Sequence, residues 1–339
     1  MTNQESYSKA FTKKAKESGF SSDYIEKCLN YAKPLLSKNL PVIYNISHLS
    51  GLVGYNVSYL KRAVKFSKYF YRDFEIKKRN NKKRTLHEPL PSLKEIQEWI
   101  LEEILYKHKV SRYAKAYVPK RSIKEHAIYH TDEPYVLTLD IKNFFGQIRF
   151  DLVEGLFEEM GYSNRMANLL AKLCFREREL PQGAPTSPYL SNLIMKEFDE
   201  IVSSYCIANK VKYTRYADDL AFSGDIKVDE IENLVKKELS KIGLELNEDK
   251  KKLMKPNQPQ MISGIVVNKK AQVPKKVRNI LRNEMHFIVK YGLEDHMERT
   301  NQTKSNYLKH LIGRVNYVLQ INPRDKEFLG YREHLQTLK

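Results

Sequence analysis

Val211-Lys212-Tyr213-Thr214-Arg215-Tyr216 and Leu220-Ala221-Phe222 are two alternating apolar runs, joined through Ala217-Asp218-Asp219. Period-two alternation reads as half-buried strand, so the segment predicts a β-hairpin with two adjacent carboxylates at its tip. A further strand is predicted over Tyr135-Val136-Leu137-Thr138-Leu139-Asp140-Ile141, after which Lys142-Asn143-Phe144-Phe145 turns away from the sheet. If these strands are neighbours, Asp140, Asp218 and Asp219 converge. Anions so close repel one another and require a cation, and carboxylate oxygens with open positions suit Mg²⁺ better than zinc. Three such acids can hold two metal ions, the arrangement used for in-line phosphoryl transfer with an attacking hydroxyl and a leaving pyrophosphate.

Outward from the hairpin, Asp151 and Glu154 are expected to cap a helix ending near Gly161. Leu190, Leu193, Ile194, Phe198, Ile201 and Val202 mark another at helical spacing, and Ile231, Leu234, Val235, Leu239 and Ile242 a third that stops at Gly243. Upstream, residues 6–38 read as helix with a break near Gly19, residues 46–64 as a second helical stretch, and residues 69–76 as strand. The basic run 77–84, with Asn80-Asn81 at its centre, reads as a hairpin tip. Ser92 and Glu95 have capping-box spacing and open a helix with Leu93, Ile96, Ile100, Ile104 and Leu105 on one face. Beyond Lys275 the chain reads as basic helices forming a small domain. This is an α+β order, with helices covering one face of a mostly antiparallel sheet.

Composition narrows the function. In 339 residues, 41% apolar and 29% charged, no stretch approaches the roughly 18 uncharged apolar residues of a bilayer span. The start Met1-Thr2-Asn3-Gln4-Glu5 lacks the order of a signal peptide, so the reading is cytoplasmic with no membrane partner. Cys28, Cys174 and Cys206 are far apart, which excludes a disulfide framework and a zinc ribbon. The 59 basic residues exceed the 41 acidic ones and leave a net charge of +18, the kind of excess that binds polyanions by counterion release. The 22 tyrosines suit stacking on bases and sugars. Nucleic acid is therefore the leading partner. His126 and His130 are four apart on one helix face, but no H-E-x-x-H glutamate and no third ligand accompany them, so a zinc site is rejected.

Taken together and in order, the motifs resemble the reverse transcriptases, specifically the retron-type enzymes of bacteria, from Leu40 to the C-terminal end. Arg84-Thr85-Leu86-His87-Glu88-Pro89 is similar to the fingers block whose arginine meets the incoming triphosphate. Asp140-Ile141-Lys142-Asn143-Phe144-Phe145 resembles the first palm motif, with Phe145 where a ring excludes the ribose 2′-hydroxyl. Leu180-Pro181-Gln182-Gly183-Ala184-Pro185 resembles the loop lying against template and nucleotide, and Tyr216-Ala217-Asp218-Asp219 the catalytic hairpin. Gly243-Leu244-Glu245-Leu246-Asn247 with Lys250 resembles the motif whose lysine faces the departing pyrophosphate, Lys250 being one of three consecutive lysines. Ile262-Ser263-Gly264 falls where retron enzymes carry Val-Thr-Gly, and His126-Ala127-Ile128-Tyr129-His130 where they carry Asn-Ala-x-x-His, His126 departing from the pattern. Residues 307–323 resemble the thumb helix, with Arg314 placed to track phosphates of an A-form hybrid.

The resemblance implies a right-hand polymerase with an antiparallel palm sheet: an N-terminal helical extension (1–40), interleaved fingers and palm (41–270) and a helical basic thumb (271–339). It implies RNA-directed DNA synthesis from dNTPs with two Mg²⁺ ions, held by Asp140 and Asp218 and supported by Asp219. Arg84, Phe145, Gln182 and Lys250 are the implied nucleotide contacts, and His126, His130, Ser263, Gly264 and Arg314 the RNA contacts. The implied partners are a cognate structured non-coding RNA, primed at a guanosine 2′-hydroxyl, its branched RNA–DNA product, a separate effector protein in anti-phage defence, and host RNase H for template removal. Another bacterial stand-alone or group II intron-derived reverse transcriptase is the nearest rival. An RNA polymerase on the same palm is disfavoured by Phe145, and a silent RNA-binding scaffold by the intact acids.

Overall fold

The computed structural model describes residues 3–77, 83–303 and 305–338. The chain forms two compact units interleaved along the sequence. One comprises Met1–Val118, Ile141–Ile201 and Asn233–Leu246, the other Pro119–Asp140, Val202–Glu232 and Asn247–Lys339.

The first unit begins with helices Asn3–Glu17 and Ser22–Ser37, parted at Gly19, whose φ of 78° is the left-handed conformation glycine tolerates best. The expected stretch 46–64 is two helices, Ile46–Val53 and Val57–Lys65, because Gly54 ends the first at φ 77° and the Asn56 side chain caps the second. Strand β1 (Tyr71–Lys77) pairs antiparallel with β2 (Lys83–Pro89), setting Ile76 opposite Arg84. The strand starts later than expected because Ser67–Phe70 is a 3₁₀ turn. Residues 78–82 of the expected basic tip lie outside the described residues. Helix Pro91–Glu103 opens at Pro91, with no side-chain cap, so the Ser92/Glu95 box is not used. Proline at the first helical position has its φ already set and no amide hydrogen to satisfy. Helix Phe150–Met160 likewise lacks the expected Asp151 cap: Asp151 pairs with Arg149, and Glu154 accepts from Asn168 Nδ2 at 2.6 Å. The apolar run 190–202 is split at Met195 into helices Ser187–Ile194 and Lys196–Ala208.

The second unit is built on an antiparallel sheet of β3 (Tyr135–Asp140), β4 (Lys212–Tyr216), β5 (Asp219–Gly224) and β6 (Lys252–Met254), in the order β4-β5-β3-β6. Register sets Asp140 opposite Asp219, Thr138 opposite Ala221, and Thr214 opposite Ala221 from the other side. Since side chains alternate across a pleat, Val136, Thr138, Asp140, Thr214, Tyr216, Asp219, Ala221 and Ser223 share one face. A small hairpin of β7 (Met261–Ile262) and β8 (Ile265–Val266) turns at Ser263 (φ 44°) and Gly264 (φ 84°). Two positive φ values suit a tight two-residue turn. The fully buried Gln260 ties this hairpin to the start of β3, donating to the carbonyls of Glu133 at 3.0 Å and Pro134 at 3.2 Å. The C-terminal helices Lys275–Tyr291, Tyr307–Ile321 and Lys326–Thr337 bury Leu281, Met285, Leu311, Val315, Val318 and Phe328 in one core with Val136, Ala221, Ile262 and Ile265. Each such Leu, Ile, Val or Phe contributes roughly 1.5–3 kcal/mol on burial. No helix of the described residues is long and apolar enough to cross a membrane.

Candidate active site

Asp140 ends β3 and Asp219 begins β5, so strand pairing sets two carboxylates side by side, with Asp218 next along the turn. A cavity of about 750 Å³ in the second unit is lined by Asp140, Asp219, His126, Lys250 and Ser263, among others. Both carboxylate oxygens of Asp140 accept from Lys250 Nζ at 2.8 Å, and the Asp140 carbonyl accepts from the Asn247 amide at 2.7 Å. The three consecutive lysines are thereby sorted: Lys250 meets Asp140, Lys251 pairs with Glu232, and Lys252 lies in β6 opposite Thr138. Desolvation opposes the charge on Lys250, yet bonding to Asp140 and the fields of Asp218 and Asp219 outweigh it and raise its pKa above the ordinary lysine value. Desolvation, then repulsion from Asp218, pushes the Asp219 carboxyl up to about 6 against the lowering effect of Ser263. Among the described residues no three His, Cys, Asp or Glu side chains are drawn together tightly enough to cage an ion as they stand.

The hairpin tip is rigid by construction. β4 and β5 are joined by two residues, and of these Ala217 alone takes positive φ, at 57°. Left-handed backbone costs a non-glycine residue roughly 1–2 kcal/mol. The fully buried Arg215 supports the tip, donating from Nη1 to the Ala217 carbonyl at 3.2 Å. Ser263 Oγ donates to Asp219 Oδ2 at 3.0 Å, while Gly264 completes the β7–β8 turn with open space around its Cα. Ser263, expected to contact RNA, is placed here with its hydroxyl on the Asp219 carboxylate.

His126 and His130, the expected RNA contacts, are both wholly buried, with His126 at the wall of the cavity that holds the acids. Thr214 Oγ1 lies 2.7 Å from both His126 Nδ1 and His130 Nε2, and Ser223 Oγ lies 2.7 Å from His130 Nδ1. The His126 ring packs on Tyr216, 5.6 Å between centroids. Sequence reasoning missed Thr214, Ser223 and Arg215. The available signal was a polar residue at a core-facing position of an alternating strand, which must find a buried partner.

Arg84, Phe145 and Gln182 belong to the first unit. Arg84 Nε donates to Gln182 Oε1 at 2.6 Å, and the Gln182 carbonyl accepts from the His87 amide at 2.7 Å. Gly183 follows at φ 125°, where a Cβ would stand 2.8 Å from the His87 carbonyl oxygen. The loop is thus laced to β2. Phe144 and Phe145 are both buried, with rings 5.4 Å apart, and Phe145 also faces Tyr117 at 6.2 Å. Arg314 is paired with Glu284 at 2.5 Å.

Residues 76–331 match the family model described as reverse transcriptase (RNA-dependent DNA polymerase). The retron Ec86 reverse transcriptase of Escherichia coli is 28% identical over 295 residues, covering 86% of this chain and 88% of its own length. The retron Mx65 reverse transcriptase of Myxococcus xanthus is 31% identical over 282 residues, covering 77% of this chain and 64% of its own. The chain belongs to the retron-type reverse transcriptases. It is an RNA-directed DNA polymerase with a right-hand polymerase fold, of a family that uses divalent metal ions and binds an RNA template. Among solved structures, the reverse transcriptase is also similar to a telomerase from Candida albicans, with a TM-score of 0.45 and 11% identity over 78% of this chain and 63% of that one.

Proposed function

We propose that this reverse transcriptase copies part of a cognate structured RNA into single-stranded DNA that stays joined to the RNA, starting from a guanosine 2′-hydroxyl and consuming dNTPs. The observation that carries the reading is the pairing of Asp140 with Asp219 beside Asp218, with Lys250 held on Asp140 by two 2.8 Å bonds. The donor set fits two Mg²⁺ ions: all ligands are hard oxygens, Asp219 is pushed up to about 6 by burial and then by neighbouring charge, and a lysine is already drawn onto Asp140. Asp140 and Asp218 would hold the ions and Asp219 support them. Bound there, the ions would neutralise the phosphates and lower the pKa of the attacking hydroxyl. The protein's own residues would align the rest: Lys250 faces the leaving pyrophosphate, Arg84 meets the triphosphate, Gln182 orients the template-nucleotide pair, and Phe145 excludes a ribose. The +18 charge supports retention of the hybrid, with Arg314 and Gly264 beside its backbone.

The reading extends to a bacterial cytoplasmic anti-phage role with a separate effector protein, and to template removal by host RNase H. The test is purification from the native host beside an Asp218→Asn/Asp219→Asn variant, with sequencing of co-purifying nucleic acid after RNase and debranching treatment. DNA joined 2′ to 5′ to RNA, present only with the intact acids, is the expected result. Linear DNA made from an added primer, with no branched species, would move the protein to the stand-alone or intron-derived enzymes.

A further inference from the structure

His126 and His130 are wholly buried beside the acids, and both are bonded to hydroxyls of the sheet. Their four-membered chain, His126–Thr214–His130–Ser223, links helix Ile123–Ile128, the turn after it, β4 and β5 through three contacts of 2.7 Å. The Thr214 hydroxyl has one proton and two lone pairs, so it accepts from at least one of the two rings and donates to at most one, and a neutral His130 ring donates through one nitrogen and accepts through the other. Thr214 lies on the sheet face that bears Asp219 and Asp140, two residues before Tyr216; Ser223 lies on that face four residues after Asp219. Between Ser223 and Asp219 the only side chain on that face of β5 is the methyl of Ala221, itself buried. The His126 ring closes the set against Tyr216, the cross-strand partner of Asp219.

We infer that this chain is a positioning device that fixes the height and tilt of the β4–β5 hairpin, and with it Asp218 and Asp219, against the helix that carries His126. A shift of the hairpin by about 1 Å along any of these 2.7 Å contacts would take that contact beyond hydrogen-bond range, and misplacement of that size can cost about 10²-fold in rate. The two histidines thus act through the carboxylates and touch no nucleic acid. The inference rests on the reading of Asp140, Asp218 and Asp219 as the reacting acids.

The experiment is single-nucleotide extension of a primed RNA template under pre-steady-state conditions, comparing the intact protein with Thr214→Val, Thr214→Ser, Ser223→Ala and Asp218→Asn. Burst amplitude counts correctly folded molecules, and the rate constant reports each folded molecule's chemistry. Thr214→Val is expected to lower the rate constant at least tenfold, with the dNTP concentration for half-maximal rate and the affinity for primed RNA each within threefold. Thr214→Ser restores the rate to within threefold. Ser223→Ala, which removes only the far end, lowers it about threefold and serves if the valine variant does not fold. A loss confined to amplitude, with the rate constant unchanged in every foldable variant, overturns the inference, as does a tenfold loss of RNA affinity at unchanged rate. If Asp218→Asn extends the primer normally, the reading of the acids falls and the inference with it. An inactive Asp218→Asn beside a fully active Thr214→Val sinks the positioning chain alone.

Discussion

Two hairpins of this protein are built to opposite specifications. β4–β5 turns in two residues, buries almost every position and is cross-braced by Thr214, Ser223 and Arg215. β1–β2 exposes every residue of β1 after Tyr71 and is oriented by a few polar ties, His87 to Asp73 at 2.7 Å and Arg84 to Gln182 at 2.6 Å. Carboxylates that must sit within a fraction of an ångström of reacting atoms are immobilised by packing. A guanidinium proposed to meet a solvated triphosphate stays in water, where its charge costs nothing to keep.

The contrast breaks most visibly at the acids. Asp218→Asn should cut primer extension by about a thousandfold or more, with the melting temperature unchanged or raised as repulsion is relieved. Stability lost together with activity would mean the turn needs the charge for folding. Lys250→Met leaves Asp140, which is 6% exposed, without its cation; extension should fall about tenfold to a hundredfold at saturating dNTP. Retained activity would show the lysine to be a bystander at the site.

On the exposed hairpin the sensitive point is a backbone approach. Gly183→Ala brings a Cβ against the His87 carbonyl at a φ only glycine favours, and urea denaturation should report a loss of about 1–3 kcal/mol. A neutral result would mean the loop and β2 separate freely. The buried hairpin should instead carry a pH signature. Burial, then the nearby charges of His126 and Lys212, holds His130 well below its ordinary 6.5, so it is neutral in the folded protein. Below pH 6.5 the unfolded chain takes up a proton that the folded chain refuses. Stability therefore falls as pH drops, by at most about 1.4 kcal/mol per unit, and this contribution is flat above 6.5. Urea titrations from about pH 5 to 8 should show a shallower slope in His130→Gln; identical slopes would mean His130 protonates in place. Smallest is Arg84→Gln, which should shift stability by less than about 0.5 kcal/mol while raising the dNTP KM about tenfold.

Much of the sheet was readable in advance because alternation, a two-residue turn and strand-terminal aspartates are local features. Hydrophobic pattern put Asp140 at the end of one strand and Asp219 at the start of another, while their pairing rested on the strands being neighbours, which the register supplies. Local pattern misled where two signals competed: Pro91 displaced the Ser92 cap, and Arg149 took Asp151 from the helix terminus. Which of three adjacent lysines reaches Asp140 depended on a one-turn 3₁₀ segment, Glu248–Lys250, that no periodicity announces. The buried role of the histidines was illegible for a different reason. Their partners Thr214 and Ser223 lie more than 80 residues along the chain, and only strand register brings the hydroxyls beneath the rings.

The order β4-β5-β3-β6 has a consequence for biosynthesis. β3 is an inner strand whose two neighbours are both encoded later, so its Val136, Leu137 and Leu139 leave the ribosome with nothing to pair against. At roughly 5–20 residues per second, the interval of about 80 residues before β5 emerges lasts about 4–16 seconds, and β6 follows later still. Nascent chains halted before Lys250 therefore hold Asp140 without the lysine that pairs with it, and without β6 along its strand. Translation itself delays the assembly of the complete sheet until Met254 has been made.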